Sequence, residues 1–527
     1  MFKKNQKHIQ ANIFGFSTIL PSTYLQDIEE SEEKSFYELV FSKIREEDFS
    51  CLYSEKFSRP NAAINCLVGA ILLQHRHGWT IDELFKNIKY NLLVKVALGL
   101  QTFDEMPFNL TTFFNTQNRL NDHFVKTGIN LLETLFDNLT AEQLKVLKVK
   151  TTIQRTDSFQ AASNIRRYSR LQLLVELLIR VHRVLDDADR KSYEELFAPY
   201  IHKTSGQFIY RLDQAAIQTE LETIGRIYQR LYREVFPHYQ DIEVFNIFER
   251  VYEEHFTVIE EKISLLEPSA LATDSLQSPD DLDATYVQKN KRSYRGQVVN
   301  IVETCNPENA LNLITDIVVT ANNIDDSNNL HERLDGMKAK TPDLAELHSD
   351  GAYGSEGNDT KCSELVITQI QTAIRGRESV VALSIEQTDR DVYLVNCPHQ
   401  KVVAEKTRKR YRAQFSETVC ASCPWNSQCN LVKGHKCRRY YFSEKDYQRK
   451  KRANNIILLP PERRTLRANI EATVSEFKRK MPDDKVKVRG RFKTMLFAFA
   501  TGISINFGRI VRYLDAQQMD SMQLSSA

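Results

Sequence analysis

The segment VKTTIQRTDSFQ (149–160) is rich in β-branched residues, unlike the sequence on either side of it. Such residues favour extended backbone, and we expect a short strand here that ends at Asp157. The flanking residues 59–148 and 165–268 instead carry apolar residues at the spacing of amphipathic helices. The segment therefore predicts the first strand of an α/β domain that follows a helical domain and is interrupted by a helical insertion.

Further strand and helix signals follow the helical insertion. We expect two neighbouring strands, one helix, one short strand that runs into a turn, and one further strand. Their ranges are, in order, 293–305, 310–322, 326–340, 345–359 and 380–387. The short strand ends at Asp350. This order is typical of an α/β domain with a mixed sheet.

Changes in composition divide the chain into eight segments. They are a lead-in (1–58), a helical N-terminal domain (59–148), the strand that carries Asp157 (149–164), a helical insertion (165–268), the rest of the α/β core (269–390), a Cys-rich insertion (391–440), a C-terminal helical region (441–515) and a tail (516–527).

The composition fits a folded, soluble protein, and we expect it to be cytoplasmic. Hydrophobic residues make up 42% of the 527 residues, and no run of eighteen apolar residues predicts a membrane span. The N-terminal stretch MFKKNQKHIQANIFGF lacks the apolar region of a signal peptide. Nine cysteines, an odd number without an export signal, favour reduced thiols or metal ligands over disulfides.

Charge is distributed unevenly along the chain. Residues 401–500 contain 26 Lys and Arg against 9 Asp and Glu, a net charge of +17, although the whole chain carries only +2. The remaining residues therefore carry −15. An excess of this size over one region favours a polyanionic partner, most simply nucleic acid; the alternative is a basic surface without a partner.

The segment LRANIEATVSEFKRK (466–480) places one acid, Glu471, among bases. It has good helix formers and no Gly or Pro, so we expect a helix. On that helix Arg464, Arg467 and Lys478 would share a face with Glu471. The face is either solvated and held by pairs such as Arg467 with Glu471, or it combines a metal-binding carboxylate with phosphate-binding bases.

Three acids are placed on separate predicted elements. Asp157 and Asp350 each end a strand, and Glu471 lies on the late helix. Carboxylates on three rigid elements can converge on two divalent metal ions about 4 Å apart, and Mg²⁺ prefers such oxygen ligands. Each acid alone is weak evidence, because an Asp at a strand end is usually a turn former. Asp283 also precedes a predicted strand and is an alternative first acid, although the strand leading into Asp157 favours the latter.

Four cysteines form a second cluster, with the spacing C-x22-C-x2-C-x5-C: Cys397, Cys420, Cys423 and Cys429. Thiolates at a CxxC pair and two further positions suit tetrahedral Zn²⁺. His435 or Cys437 could replace one of the four ligands. The alternative is a set of buried thiols without a metal.

Several of these segments resemble the DDE transposases of bacterial insertion sequences, in particular the group numbered eleven eighty-two. RPNAAINCLVGAILLQHRHGWTIDELFKNI resembles the helical N-terminal domain of that group, QRTDSFQAASNIRRYSR its first-acid segment and LHSDGAYGSEGN its second-acid turn. The cysteine block resembles an insertion between the second and third acids. LRANIEATVSEFKRK resembles the C-terminal signature, in which Arg precedes the catalytic Glu by four residues and Lys follows it by seven. The Tyr that often precedes this Arg by three residues is Arg464 here.

The resemblance implies an RNase H-like catalytic domain with Asp157, Asp350 and Glu471 as catalytic metal ligands. It implies two Mg²⁺ or Mn²⁺ ions per active site, cleavage at element ends and attack of a 3′-hydroxyl on target DNA. Arg467 and Lys478, with Arg464 beside them, would hold DNA phosphates. The expected partner is double-stranded DNA, both terminal repeats and target, bound by a homodimer in the bacterial cytoplasm at the nucleoid, without a membrane.

Two other functions stay open. A transposase-derived protein could bind DNA without cutting it, and a related nuclease could hydrolyse DNA without joining strands. The N-terminal helices could recognise element ends or serve in packing or dimerisation. Retention of all three acids favours an enzyme over a pure binder, which gains nothing from buried like charges.

Overall fold

The computed structural model describes residues 2–10, 12–54, 60–201, 204–289, 291–372, 381, 383–434 and 436–526, with side chains as far as Met519. Within this part of the chain, the region before the sheet is helical. Its α-helices are α1 (Phe16–Ile19), α2 (Ser22–Glu29), α3 (Glu32–Leu39), α4 (Ile64–His77), α5 (Ile81–Tyr90), α6 (Leu92–Ala97), α7 (Leu110–Thr127) and α8 (Leu131–Val146).

The helix boundaries in this region follow the sequence signals. Gly78 ends α4 in the left-handed conformation at φ 69°, where a residue without Cβ is unstrained. Thr80 and Glu83 then form the expected capping box at the start of α5. Ten residues of α4 are buried, because this helix lies in the middle of the bundle and packs against the last helix of the chain.

A six-stranded mixed sheet forms the centre of the molecule. Its strands are β1 (Ile153–Ala162), β4 (Thr285–Lys289), β5 (Arg292–Thr304), β6 (Ile314–Ala321), β7 (Glu346–Asp350) and β8 (Thr368–Thr372). Strand β5 pairs antiparallel with β1, β4 and β6, whereas β7 pairs parallel with β1 and β8. The order β6-β5-β1-β7-β8, with α16 (Asp326–Lys340) after β6 and α17 (Glu356–Glu364) after β7, is consistent with an RNase H-like α/β domain and confirms the predicted fold class.

Strand β1 differs from its prediction at its end. It does not end at Asp157 but continues five residues further, to Ala162. The extension pairs with β5 throughout, as far as Ala162 opposite Gly296. Asp157 therefore lies in the middle of a long central strand, which fixes its backbone on both sides.

The helical insertion between β1 and β4 has a hydrophobic core of its own. Its elements are α9 (Arg170–Val184), α10 (Asp187–Ser192), α11 (Glu194–Phe197), α12 (Ser205–Arg211), α13 (Ile217–Glu234), α14 (Phe236–Tyr239), α15 (Glu243–His255), β2 (Phe256–Ile259) and β3 (Lys262–Leu265). The β2–β3 hairpin is absent from the sequence prediction, which continued the helical region to Pro268.

The Cys-rich region forms a second sheet that was not predicted. Its elements are β9 (Ser384–Asp389), β10 (Val392–Asn396), β11 (Lys401–Lys406), β12 (Tyr411–Ser416), α18 (Glu417–Ala421), β13 (Val432–Lys433) and β14 (Cys437–Phe442). The strands pair antiparallel in the order β13-β14-β12-β11-β10-β9. The predicted strand 380–387 overlaps β9, and its residues 380 and 382 lie outside the described residues.

The chain ends in α19 (Glu444–Asn455), α20 (Pro461–Arg464), α21 (Ile470–Lys478) and α22 (Arg491–Ser526). Helix α22 continues through most of the predicted tail. Residues Arg491–Met519 are long and apolar enough for a membrane span, but 83% of the most apolar window is buried inside the protein. This burial is typical of a core helix, and α22 packs against β6, α4 and α8, so that one hydrophobic core joins the N-terminal helices to the central sheet.

Candidate active site

The three predicted acids approach one another over two adjacent inner strands of the central sheet. Residues Arg155 and His348 lie opposite each other on the parallel strands β1 and β7, so Asp157 and Asp350 both follow two residues further along these strands. Glu471 is in the first turn of α21, which packs on β1. The exposed fractions of their side chains are 12%, 33% and 68%, respectively, so the group opens from the sheet toward solvent.

A single guanidinium group lies among the three carboxylates. Arg467 Nη2 is 2.9 Å from Asp157 Oδ2 and 3.9 Å from Asp350 Oδ2. Arg467 Nη1 is 3.7 Å from Glu471 Oε1. The three acids therefore share one cation, although they belong to two strands and a helix that are distant in sequence.

Because Asp157 is buried, its ionised form depends on the neighbouring charge of Arg467. Desolvation raises the pKa of Asp157, while the charge of Arg467 and the Ser158 N–H, which donates to Oδ1, act in the opposite direction. The carboxylates Asp350 and Glu471 raise the pKa of Asp157 further. A divalent cation at this position would relieve the same repulsion more strongly than a guanidinium does.

The donor set is suited to a hard divalent ion, because it consists of carboxylate oxygens with solvent access. Within the described ranges, however, no three His, Cys, Asp or Glu side chains are grouped closely enough to hold a metal ion. The acids surround Arg467 instead of a common point. Metal binding at these residues therefore requires Arg467 to withdraw and the carboxylates to move closer together.

The segment before Glu471 is not the continuous helix that the sequence predicts. Helix α20 ends at Arg464, a 3₁₀ turn spans Leu466–Asn469, and α21 begins at Ile470. The carbonyl of Leu466 accepts a hydrogen bond from Arg155 Nη1 at 2.7 Å, a tertiary contact that supports the break. The predicted common helical face is therefore wrong in its geometry, although Arg467 and Glu471 remain neighbours.

The other two predicted phosphate-binding residues lie apart from the carboxylates. Arg464 donates to the carbonyls of Leu459 and Ile457, at 2.8 and 2.7 Å. Lys478 lies 3.2 Å from Asp484 Oδ1, with 44% of its side chain exposed. The structure thus brings Arg467 to the acids, whereas the described contacts of Arg464 and Lys478 involve other groups.

Asp283, the alternative first acid, lies in the turn before β4, and its Oδ2 accepts the N–H of Arg491, the first residue of α22, at 3.1 Å. None of its described contacts involves the three acids.

Asp326 is a further carboxylate close to the three acids, and the sequence analysis did not identify it. Burial raises its pKa, and Asp350 adds to this rise. Its only sequence signal is its position at the start of a predicted helix, which is common to many helix-capping acids.

The four predicted zinc ligands line one small cavity in the Cys-rich region: Cys397, Cys420, Cys423 and Cys429. Gln400 donates its backbone N–H to Cys397 Sγ at 3.2 Å and its side-chain N–H to Cys420 Sγ at 3.3 Å. Cys437 instead donates its thiol to Gln414 Oε1 at 3.4 Å, and it does not line the cavity. His435 lies outside the described residues.

Two family models match the chain. Residues 25–119 match a transposase domain known as DUF772, which covers most of the N-terminal helices, and residues 396–511 match a transposase DDE domain. The second match includes the four cysteines, Arg467 and Glu471. No curated protein and no solved structure matches the chain significantly. Together with the RNase H-like strand order, the two family matches indicate that this chain is a DDE-type insertion-sequence transposase.

Proposed function

We propose that the protein cuts DNA at the ends of an insertion sequence and joins the freed 3′-hydroxyls to target DNA, with Asp157, Asp350 and Glu471 as the catalytic acids. The convergence of these three side chains on Arg467 carries the proposal. Three carboxylates around one guanidinium leave an excess of negative charge, which suits divalent cations. The group numbered eleven eighty-two remains our assignment from the resemblance.

Each residue of the proposed site has a separate role in phosphoryl transfer. Asp157 and Asp350, on rigid strands, fix two carboxylates, and Glu471 supplies the third from a more exposed helix. When bound, two Mg²⁺ or Mn²⁺ ions supply Lewis-acid activation of the attacking hydroxyl and neutralise charge at the phosphate. Arg467, once released by the acids, is free to pair with a DNA phosphate, because guanidinium binds both kinds of anion.

We propose further that the Cys-rich sheet holds one structural Zn²⁺ through Cys397, Cys420, Cys423 and Cys429. Their common cavity and the N–H donors of Gln400 support this assignment, because amide donors stabilise thiolate ligands. As at the three acids, the described side chains are not yet grouped closely enough to hold the ion, so zinc binding requires the four thiols to move closer together. The hydrogen bond from Cys437 to Gln414 argues against Cys437 as a ligand.

The proposed partner is double-stranded DNA. The net charge of +17 in residues 401–500 favours contact with its phosphate backbone, and we assign recognition of element ends to the N-terminal helices. Two ends must be brought together, so we expect a homodimer on DNA, acting at the nucleoid. The transposase family itself suggests a soluble cytoplasmic protein.

The test uses purified protein, Mg²⁺, a labelled duplex that ends in the element's own terminus, and a supercoiled plasmid as target. We expect a nick at the element boundary and covalent transfer of the labelled strand to the plasmid. Cleavage without transfer would favour a nuclease. Binding without cleavage in either Mg²⁺ or Mn²⁺ would favour the alternative, a catalytically silent DNA-binding protein.

A further inference from the structure

A buried cluster of charges lies beside the three acids, on the same sheet. Arg155 precedes Asp157 by two residues on β1 and therefore projects from the same face of the strand. Opposite it on β5 is Glu303, which has no exposed side-chain surface and whose Oε1 lies 2.6 Å from Arg155 Nε. Glu303 lies in the predicted strand 293–305, but no site role was assigned to it, and the proposed chemistry does not use it.

This cluster is bonded to the segment that carries Arg467 and Glu471. The Thr473 hydroxyl donates to Glu303 Oε2 at 2.6 Å, and Arg155 Nη1 donates to the Leu466 carbonyl at 2.7 Å. Arg509, from α22, donates to Glu303 Oε2 at 2.8 Å and to the Thr473 hydroxyl at 2.6 Å. The segment is thus held both before and after Glu471.

Helix α21 needs such hydrogen bonds because its other buried side chains are apolar. Its buried stripe consists of Ile470, Thr473, Val474 and Phe477, and Thr473 is the polar member. Apolar contacts hold the helix on the sheet but tolerate small rotations about its axis. Thr473 follows Glu471 by two residues, which places the two side chains on nearly opposite sides of the helix. A fixed Thr473 hydroxyl therefore fixes the direction of the Glu471 carboxylate.

We propose that Glu303, Arg155 and Thr473 are positioning residues for the third acid. Glu303 is the fixed point on the sheet, Arg155 holds the turn that carries Arg467, and Thr473 sets the rotation of the helix that carries Glu471. This inference rests on the proposed function, because the cluster is inferred to orient Glu471 as a metal ligand.

The test compares Thr473→Val, which removes the hydroxyl and keeps the shape, with Thr473→Ser, which keeps the hydroxyl. Mn²⁺ binding to the full-length, DNA-free protein is measured by electron paramagnetic resonance, with Asp157→Asn as the baseline for Mn²⁺ bound elsewhere. We expect Thr473→Val to weaken the Asp157-dependent binding by about tenfold, as loss of a residue that orients a metal ligand does, and to slow end cleavage similarly. Thr473→Ser should stay within about twofold of the wild type.

Thr494→Val is the matched control. Thr494 is fully buried in α22 and donates to Gln297 on β5 at 3.2 Å, so its loss perturbs the same sheet without contacting α21. We expect it to lower the melting temperature and leave Mn²⁺ binding unchanged. The inference is overturned if Thr473→Val binds Mn²⁺ like the wild type, or if Thr494→Val loses Mn²⁺ affinity equally.

A second variant covers the case in which Thr473→Val does not fold. Arg155→Lys keeps the charge beside Glu303 but lacks the planar fork that reaches Glu303 and Leu466 together. It should show the same loss of Mn²⁺ affinity, and wild-type affinity would overturn the inference. If Asp157→Asn itself binds as much Mn²⁺ as the wild type, the proposed acid site fails, and the role of Thr473 fails with it.

Discussion

At the scale of single residues, the site is dominated by one base among three acids. Asp157, Asp350 and Glu471 together carry three negative charges when ionised, and Arg467 supplies one positive charge. Burial raises the pKa of Asp157 and so disfavours its charged form, which a nearby cation stabilises. In the absence of metal, Arg467 is that cation, and a metal ion has to displace it.

Replacing Arg467 by Gln should therefore strengthen Mn²⁺ binding in the absence of DNA. A unit charge about 4 Å away is worth up to about 4 kcal/mol at a partly screened site. The exposure of Glu471 and the room for Arg467 to move reduce this, and we expect a gain of about tenfold in affinity, or about 1.4 kcal/mol. Titration followed by electron paramagnetic resonance measures it.

Arg464→Gln is the control for Arg467→Gln, since Arg464 bonds backbone carbonyls and touches none of the three acids in its described contacts. Its Mn²⁺ affinity should match that of the wild type. A loss of Mn²⁺ affinity in Arg467→Gln would show that the guanidinium organises the carboxylates for the metal instead of competing with it.

At the scale of elements, the sequence predicted the helices and strands whose boundaries are set by neighbouring residues. The Thr80 capping box, helix α16 and the strand ending at Asp350 all lie where the sequence placed them. The break at Leu466–Asn469 was missed because Arg155, three hundred residues earlier in the chain, supports it. The sheet of the Cys-rich region was missed because its short strands become visible only when they pair with one another.

The zinc assignment predicts a difference between two cysteines of this sheet. Cys423→Ser should lose the bound zinc and lower the melting temperature of the protein, because a structural Zn²⁺ contributes directly to folding. Metal content per chain is measured by atomic emission after dialysis against a weak chelator. Cys437→Ser is the matched control and should retain about one zinc per chain. Equal zinc content in the two variants would remove Cys423 from the ligand set.

The helical insertion contains a buried histidine that should make it sensitive to acid. Burial lowers the pKa of His255 to about 4, and the neighbouring Arg170, which donates to its Nδ1, contributes. In the unfolded chain this histidine takes up a proton near pH 6.5, so folding stability falls as the pH decreases from 6.5 to about 4. The loss amounts to about 3 kcal/mol at most.

His255→Gln keeps a hydrogen-bond acceptor for Arg170 and cannot be protonated in this range. Its stability, measured by urea unfolding from pH 7 to pH 4.5, should decline less steeply than that of the wild type. Parallel declines in the two proteins would show that His255 does not cause the acid sensitivity.

At the scale of the whole molecule, the distribution of hydrophobic cores shows which parts act together. One core joins the N-terminal helices, the central sheet, α21 and α22. The helical insertion and the Cys-rich sheet each have a separate core. The N-terminal helices, which we propose for end recognition, therefore share one core with the strand of Asp157 and the helix of Glu471. We expect binding of an element end by these helices to place its phosphate at the three acids.

The most direct test of the three-acid site compares Glu471→Gln with Glu462→Gln on a labelled element end in Mg²⁺. Glu462 is an exposed acid on the neighbouring helix α20, and its replacement removes the same charge without touching the carboxylate group. We predict that all three proteins bind the DNA end with similar affinity, that the wild type and Glu462→Gln nick it at the boundary, and that Glu471→Gln cuts at least about a thousandfold more slowly. Cleavage by Glu471→Gln at the wild-type rate would contradict the three-acid site.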